Sequence, residues 1–287
     1  MATTDRPQAG FMGILEIGSN KVRVNSFNVN PEQSPQFYDH TIGLRDNIPT
    51  GLFGAKGDKA YADNPQKTIY RPGVISVAGS VTFPLQEEAE LDIFNLAKTG
   101  DDFNMTFYRD CNHAMTYSYC KISQYQLSMT AGDVPNVNFS VMALDATETD
   151  GTSPGYISTK RLVTWDACTI NGTDFENVPV LSFDMTIANE CHYIYTAGEN
   201  VTRVLKPAKI RVGLQSVQGT ITFYTKGYNL NFMKSTYDQK EITVKMNGKE
   251  IKINCVYVPV KRAGQPGAIT STLQYFGVGS YWVKASP

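Results

Sequence analysis

The sequence has no excess of charge of either sign. Its 287 residues include 26 Lys and Arg and 27 Asp and Glu, which gives a formal net charge of −1. Proteins that hold nucleic acid or an anionic membrane through their overall charge carry a basic excess. That mode of binding is therefore excluded for the chain as a whole.

Long apolar runs are also missing. No stretch approaches the roughly 20 apolar residues of a membrane-spanning helix, and the first ten residues, MATTDRPQAG, lack the basic and then apolar segments of a secretion signal. There are five cysteines and no C-x-x-C motif. We therefore expect no membrane-spanning segment, synthesis in the cytoplasm and reduced thiols.

Motifs that bind phosphate or metal are absent as well. The stretch GLFGAKGDK (51–59) has the glycines and lysines of a phosphate loop, but aspartate follows its last glycine where the motif requires lysine. His113 lies near Cys111, and Cys191 precedes His192. Adjacent residues of a strand point to opposite faces, and no second ligand pair follows at zinc spacing. We expect no metal and no cofactor.

No arrangement of residues indicates catalysis. The chain has no Gly-x-Ser-x-Gly elbow and no Cys–His pair that marks a nucleophile. The acidic run Glu87, Glu88, Glu90 and Asp92 is more typical of the solvated face of a helix than of an acid/base pair. Sixteen tyrosines could stack on sugars or bases, but cross-strand packing is their commoner role in a β protein. We expect no catalytic residue and no enzyme.

Most of the sequence alternates with the period of a half-buried strand. In the segment 75–83 the odd positions are apolar or Gly, and the even positions are Ser, Ala or Thr. Asn247-Gly248 separates two alternating runs and predicts a two-residue hairpin, because a type I′ turn needs positive φ at both central residues. Asn171-Gly172 predicts a second such turn.

One segment predicts an amphipathic helix that packs on a sheet. It begins near Pro84 and ends near Gly100, with an early acidic run and a late lysine, as the helix dipole prefers. Its apolar face is predicted to be Leu85, Ala89, Ile93 and Leu96. The segment 31–72 predicts a long functional loop, and TETDGTSP (147–154) is the candidate linker.

Two stretches of the chain are closely similar. SVAGSVTF (76–83) and SVQGTITF (216–223) share five of eight residues, and VRVNSFNV (22–29) aligns with VPVLSFDM (178–185). In the second pair both copies shift the phase of alternation by one residue at the same place, as a β-bulge does.

Further matches continue in the same order. They are Cys120 with Cys255, Ala131-Gly132 with Ala263-Gly264, and Phe139-x-Val141 with Phe276-x-Val278. The helix has only a shorter, weakly helical counterpart at 228–240. The sequence therefore predicts a mainly β chain (α+β) of two tandem β domains, 1–150, with the long loop 31–72, and 151–287. Such units present similar open edges, which can pair head to tail and close a ring.

Two segments resemble the first strands of bacteriophage tail tube proteins. They are LVTWDACTINGTDFENVPVLSFDMTIAN (162–189) and EIGSNKVRVNSFNVN (16–30), each a short hairpin followed by a strand with a Ser-Phe step. The order of hairpin, strand, Gly-containing strand, helix and further strands is similar to that family, to the type VI secretion tube proteins and to trimeric baseplate hub proteins.

The resemblance implies two tandem tail-tube-like β-barrel or sandwich domains, with a flanking helix at least in the first. It implies a structural protein of the virion tail. Three chains would form a pseudo-hexameric ring, and stacked rings would enclose a channel for non-specific passage of DNA, with a near-neutral or acidic lining. The loop 31–72 would bridge neighbouring subunits. Expected partners are further copies, a tape measure protein, and baseplate and tail terminator proteins.

Two alternatives remain open on the sequence. One is a baseplate hub or distal tail protein, which forms a single ring and no polymer. The other is a carbohydrate-binding β-sandwich module, which the tyrosines would serve.

Overall fold

We describe the fold from a computed structural model of the chain. The described residues are 13–33, 36–38, 69–71, 75–86, 90–109, 113–150, 161–172, 175, 178–195, 206–224, 238–246, 249–265, 268–278 and 283–286. Within them the chain is mainly β, as predicted, and forms one large antiparallel sheet assembly with one α-helix.

The described strands belong to two ranges of the chain. Those before residue 151 are β1 (Ile14–Ile17), β2 (Asn20–Arg23), β3 (Ser26–Gln33), β4 (Gln36–Tyr38), β5 (Ile69–Arg71), β6 (Ile75–Pro84), β7 (Phe103–Tyr108), β8 (His113–Thr130), β9 (Asn136–Ala143) and β10 (Asp145–Asp150). Those after it are β11 (Cys168–Gly172), β12 (Val180–Ile194), β13 (Lys209–Tyr224), β14 (Lys240–Met246), β15 (Lys249–Gln265), β16 (Ala268–Gly277) and β17 (Val283–Ser286).

Eight strands form one continuous sheet, which we call the inner sheet. Its order is β3-β6-β9-β8-β12-β13-β16-β15. The first parts of the long strands β8 and β15 leave the inner sheet and pair elsewhere. β8 pairs there with β7 and β10, and β7 continues to β1 and β2. β15 pairs with β14 and β17, and β14 continues to β11.

The pairing pattern of the first half recurs in the second. Val29 lies opposite Gly79 in the first half, and Met185 lies opposite Gly219 in the second. These pairs are separated by the offsets of 156 and 140 residues that the two sequence alignments give. Seven strands correspond in order: β1, β3, β6, β7, β8, β9 and β10 with β11, β12, β13, β14, β15, β16 and β17.

Gly79 and Gly219, the matching glycines of the two halves, are required for the same structural reason. A Cβ on Gly79 would overlap the backbone carbonyl oxygen of Asn28, and a Cβ on Gly219 would overlap that of Asp184. Asn28 and Asp184 are equivalent under the 156-residue offset. In both halves, therefore, glycine lets the neighbouring strand approach closely.

The predicted phase slip lies where each half enters the inner sheet. Asn25 is a bend immediately before β3, and the β12–β13 ladder shifts register between Val180 and Ser182. A second irregularity also recurs. The β8–β9 ladder shifts between Ile122 and Gln124, and the β15–β16 ladder shifts between Val258 and Lys261.

Two of the sequence alignments are wrong in register. Ala131-Gly132 forms the β8–β9 turn, with φ +89° at Gly132, whereas Ala263-Gly264 lies inside β15. Phe139 lies opposite Val81, and the residue opposite the equivalent Ile221 is Leu273. The equivalent of Phe139 is therefore Leu273 and not Phe276. The sequence match selected Phe276, which lies three residues from the true equivalent. Such errors arise because many β positions accept the same apolar residue types.

The predicted helix forms over a shorter range. We call it α1, and it runs over Glu90–Thr99 and is followed by Gly100 at φ +70°. Pro84 does not begin it, because Pro84 is the last residue of β6. The predicted Ile93 is buried, and so are Phe94 and Ala97, which pack on the sheet. The weaker second helix, 228–240, lies almost wholly outside the described residues.

Both predicted hairpin turns and the linker can be compared with the ladders. Met246 lies opposite Lys249, which confirms the two-residue hairpin at 247–248. The turn predicted at Asn171-Gly172 is wrong, because both residues pair with β14. The chain turns only after them, where the amide of Phe175 donates to the carbonyl of Gly172. Residues 147–150 of the predicted linker form β10, an exposed polar strand on β8.

The predicted loop 31–72 begins and ends as strand. Residues 31–33 belong to β3, and β4 pairs with β5 in nearly the same register as β3 with β6. The ends of the segment therefore lengthen the β3–β6 hairpin, and the other residues of the segment lie outside the described ones.

Candidate assembly edges and channel face

Two edges of the inner sheet are unpaired within the described part of the chain. On one side β3 pairs only with β6. On the other side residues 259–265 of β15 pair only with β16, because β14 and β17 join β15 nearer its start. An unpaired strand offers N–H and C=O groups to another chain. Pro31 fits such an edge, where a proline without an N–H is tolerated.

The two halves of the chain join at the β8–β12 ladder. Seven residue pairs run from Thr130 opposite Ser182 to Gln124 opposite Ala188. At its centre Ser128 Oγ donates to Asp184 Oδ1 at 2.6 Å, and Thr220 Oγ1 lies 3.5 Å from Asp184 Oδ2. We call this ladder the internal seam. It shows how the last inner strand of one half joins the first inner strand of the next.

Tyrosines of the second half also hold the first half. The hydroxyl of Tyr193 contacts the N–H and C=O of Val77 and the C=O of Ala143. Nearby, Lys206 Nζ lies 3.1 Å from both carboxylate oxygens of Asp145. The far end of the β12–β13 hairpin therefore folds over the end of the first half.

Two side-chain amides, the buried Asn189 and the half-buried Gln215, terminate α1. Asn189 Nδ2 donates to the carbonyls of Ala97 and Ile122, each at 2.8 Å. Gln215 Nε2 lies 2.9 Å from the carbonyl of Ala97, 3.0 Å from that of Lys98 and 2.7 Å from Asn189 Oδ1. These donors satisfy carbonyls that a helix end leaves without intrahelical partners. A helix of the first half is thus capped by strands of the second.

One face of the inner sheet is not covered by other described residues, and we call it the open face. The core side of β12 carries Phe183, Met185 and Ile187, which are fully buried. The open face consists of every second residue of β12 from Ser182 to Ala188. It also includes the residues of the neighbouring strands that lie in line with these positions. These residues are mostly Ser, Thr, Asn and Gln.

Charge on the open face is sparse. Among its described side chains the charged ones are Glu32 and Asp184. Lys121 lies at the end of this region, where Nζ donates to the carbonyl of Gly100 and pairs with Asp102 at 3.1 Å. Lys261 occupies a β15 position opposite Thr272; its side chain is outside the described ones.

The motifs rejected on sequence grounds do not converge on a site in the described residues. No group of three or more His, Cys, Asp or Glu in that part of the chain is arranged to hold a metal ion. His113 lies 4.0 Å from Asp150. The stretch 51–59, Cys111, Glu87 and Glu88 lie outside the described residues.

Three of the described cysteine thiols are not activated. Burial raises the pKa of Cys120 and of Cys255 to about 12. Burial also raises the pKa of Cys191, and the nearby Lys121 opposes this shift only in part. A raised pKa keeps a thiol protonated and unreactive near neutral pH.

An open groove of about 800 Å³ lies between the β1–β2 turn, the end of α1 and β7. Two of its carboxylates have partners: Tyr108 donates to Glu16 at 2.8 Å, and Lys121 pairs with Asp102. Burial and the hydrogen bond to Glu16 raise the pKa of Tyr108 to about 12. Glu16 therefore acts as a hydrogen-bond partner of Tyr108, and Asp102 acts as the ion-pair partner of Lys121.

Three tyrosines of the described region pack in the core, whereas Tyr119 and Tyr195 are exposed. Tyr117, Tyr125 and Tyr275 are almost completely buried. Tyr117 donates to the carbonyl of Val29, and Tyr275 to that of Asp184. Their rings are therefore not available to stack on a sugar. In the described residues, no helix has the length and hydrophobicity required to cross a bilayer.

Comparison with known families identifies the family to which the chain belongs. The family model described as phage tail tube protein matches residues 64–275. The chain belongs to the phage tail tube protein family. The match runs from β5 into β16 and across the internal seam, so it covers strands of both halves but not β1 to β4 or β17. A comparison with curated proteins gives no match.

Membership of the tail tube family gives the chain its general role. Tail tube proteins are structural components of the virion tail that assemble with themselves into a tube. The mainly β fold agrees with this role. The resemblance to type VI secretion tube proteins stays a prediction.

Sequence reasoning missed the residues that fasten the two halves of this tail tube protein. Asn189 follows Phe183, Met185 and Ile187 at period two, so a polar residue in a buried position was visible in the pattern. Tyr193 and Gln215 carry no such signal, because their partners are backbone groups far away in the sequence.

Proposed function

We propose that three chains form a pseudo-hexameric ring and that stacked rings form the tail tube around a channel for DNA. The observation that carries the proposal is the inner sheet, which within the described residues ends in two unpaired edges, β3 and residues 259–265 of β15. Joining such edges head to tail repeats around an axis and removes them when the ring closes.

We further propose that residues 1–150 and 151–287 are two tandem tail-tube-like β domains. This division is supported by the seven corresponding strands, by the paired glycines Gly79 and Gly219 and by the register shift that recurs after Ile122 and after Val258. Three chains would then supply six similar units. The ends of the 31–72 segment extend the β3–β6 hairpin, and this direction suits a segment that bridges to a neighbouring subunit.

The open face is the proposed channel lining. DNA carries one negative charge about every 1.7 Å of helix axis, and basic side chains bind its phosphates. A lining of Ser, Thr, Asn and Gln with the acidic Glu32 and Asp184 offers no strong attraction to phosphate. Such a surface permits passage and opposes retention.

The family supports further roles that belong to the same proposal. The protein would be made in the host cytoplasm and would reside in the virion tail. It would contact a tape measure protein inside the tube, and baseplate and tail terminator proteins at the tube ends. Its function would be structural, with no catalytic residue, cofactor or metal.

Electron microscopy of the purified protein tests the proposal, together with measurement of its mass in solution over a range of concentrations. The expected result is rings of three chains with a central channel, and tubes of stacked rings at high concentration. Single rings that never stack would favour a hub protein. A protein that stays monomeric at all concentrations would contradict both assignments.

A further inference from the structure

We propose that the contact between two copies repeats the internal seam residue for residue. Residues 259–265 of β15 in one copy pair with residues 26–32 of β3 in a second copy, and Ala263 lies opposite Asn28. This inference rests on the proposed ring, and it adds the partner strand and the register.

The internal seam supplies the template. There the second part of β8 pairs antiparallel with β12, and Ser128 lies opposite Asp184. In sheet order β8 is the last inner strand of the first half, and β12 is the first inner strand of the second half. The two free edges of the chain, β15 and β3, are the corresponding strands in the opposite halves.

The register follows from the ladders next to each strand. Val29 lies opposite Gly79, and Met185 lies opposite Gly219, so β12 maps to β3 with an offset of 156 residues.

The same argument applies to β8 and β15. Val141 and Tyr275 are equivalent, because each lies two residues after the equivalent pair Phe139 and Leu273. Ile122 lies opposite Val141, and Tyr257 lies opposite Tyr275, so β8 maps to β15 with an offset of 135 residues. Beyond the register shift that both ladders contain, Gln126 lies opposite Asn138 and Lys261 opposite Thr272, which gives the same offset.

Subtracting 156 from the β12 numbers and adding 135 to the β8 numbers converts the internal seam into the proposed contact between two copies. Asp184 becomes Asn28, and Ser128 becomes Ala263. The backbone ladder can therefore repeat except at Pro31, which has no N–H to donate. The hydrogen bond from Ser128 to Asp184 cannot repeat, because Ala263 has no side-chain donor. At this position the contact between copies is held by the backbone alone, and it is weaker than the seam inside the chain.

Disulfide trapping tests the register. The variant Asn28→Cys with Ala263→Cys places two thiols on directly opposite residues, within the Cα separation that a disulfide allows. After assembly and mild oxidation, we expect the band on a non-reducing gel to shift from one chain to two and three chains. Electron microscopy of the same sample before oxidation reports whether rings are present.

The matched control is Asn28→Cys with Lys261→Cys. Residue 261 lies two positions further along β15, at a diagonal separation of about 7–8 Å, which exceeds normal disulfide geometry. Each single cysteine variant gives the background from the five native cysteines. Ser128→Cys with Asp184→Cys is the positive control and is expected to close within one chain.

The outcomes test the proposed strand register separately from the proposed ring. Trapping with Ala263→Cys above both the Lys261→Cys control and the single variants supports the register. Rings without that preference overturn the register and leave the proposed ring in place. Trapping of Asn28→Cys alone as a dimer indicates pairing of β3 with β3 and overturns the head-to-tail contact. Wild-type protein without rings contradicts both the register and the proposed function.

Discussion

Ser128 of β8 donates a 2.6 Å hydrogen bond to Asp184 of β12, and the two residues belong to different halves of the chain. Thr220 of β13 lies near the other carboxylate oxygen of Asp184. Asp184 therefore links three neighbouring strands on the open face and joins the first half of the chain to the second.

Replacement of Asp184 by alanine is expected to weaken the internal seam. A hydrogen bond to a charged acceptor contributes roughly 1.5–3 kcal/mol when buried, and Asp184 is only half-buried, so we expect a loss of about 1–2 kcal/mol. Urea unfolding of the monomeric protein measures this change. Asn28→Ala, at the equivalent position of the first half, is the control and should cost less than about 0.5 kcal/mol.

Alanine at either repeated glycine is expected to be strongly destabilising. Gly79→Ala and Gly219→Ala each force a methyl group against a backbone carbonyl of the neighbouring strand, so the strands must separate locally. We expect a loss of about 2 kcal/mol or more in each case. Thermal unfolding measures it.

Gly18→Ala separates this crowding from backbone strain. Gly18 has φ +59°, but no atom lies within 4 Å of the added Cβ. Its loss should stay near 1 kcal/mol. A cost at Gly79 or Gly219 no larger than that at Gly18 would show that close strand approach is not the reason for glycine.

Removal of the amides that terminate α1 is expected to loosen the helix from the second half. Asn189→Ala leaves buried carbonyls of Ala97 and Ile122 with fewer donors, at a cost of roughly 1–3 kcal/mol. Because Gln215 also donates to Asn189, the double variant with Gln215→Ala should cost less than the sum of the two single changes. Gln218→Ala, exposed on the same strand as Gln215, is the control. Strict additivity would contradict a shared network.

Alkaline pH is expected to destabilise the fold. Burial raises the pKa of Tyr193 from 10.0 to about 12, and those of Cys120 and Cys255 from 9.0 to about 12. Between pH 9 and 12 the unfolded chain loses these protons while the folded chain keeps them, so the free energy of unfolding falls as pH rises.

Tyr193→Phe provides the specific test of the alkaline transition. It removes one of the shifted groups, so the free energy of unfolding should fall less steeply between pH 10 and 12 than in the wild type. At neutral pH the same variant should be less stable, because it loses the hydrogen bonds to Val77 and Ala143. An unchanged alkaline slope would show that Tyr193 does not titrate with folding.

The sequence predicted the repeat better than it predicted the contacts between the repeats. The offsets at Val29 and Gly79 agree with the ladders because buried alternation and a required glycine constrain those positions strongly. The match of Phe139 to Phe276 is wrong, since apolar residues interchange freely along a strand. Hydrogen bonds such as that from Tyr193 to Val77 join residues more than 100 positions apart, and no local pattern encodes them.

A lysine added to the open face is expected to make assembled protein retain DNA. Thr186→Lys places a cation within the internal seam, among polar and acidic residues of the open face, where it can bind phosphate. In a gel-shift measurement at low salt, wild-type assemblies should bind DNA weakly and the variant more strongly. Ser19→Lys, with the same charge in the exposed β1–β2 turn, is the control. Equal binding by both variants would argue against the open face as the channel lining.

The symmetry of assembled protein tests the central claim most directly, and averaged electron micrographs of purified rings measure it. The account predicts three chains and six similar units around one channel, with the open face toward the axis. A ring whose units join through surfaces other than β3 and β15, or a chain that never leaves the monomeric state, would contradict it.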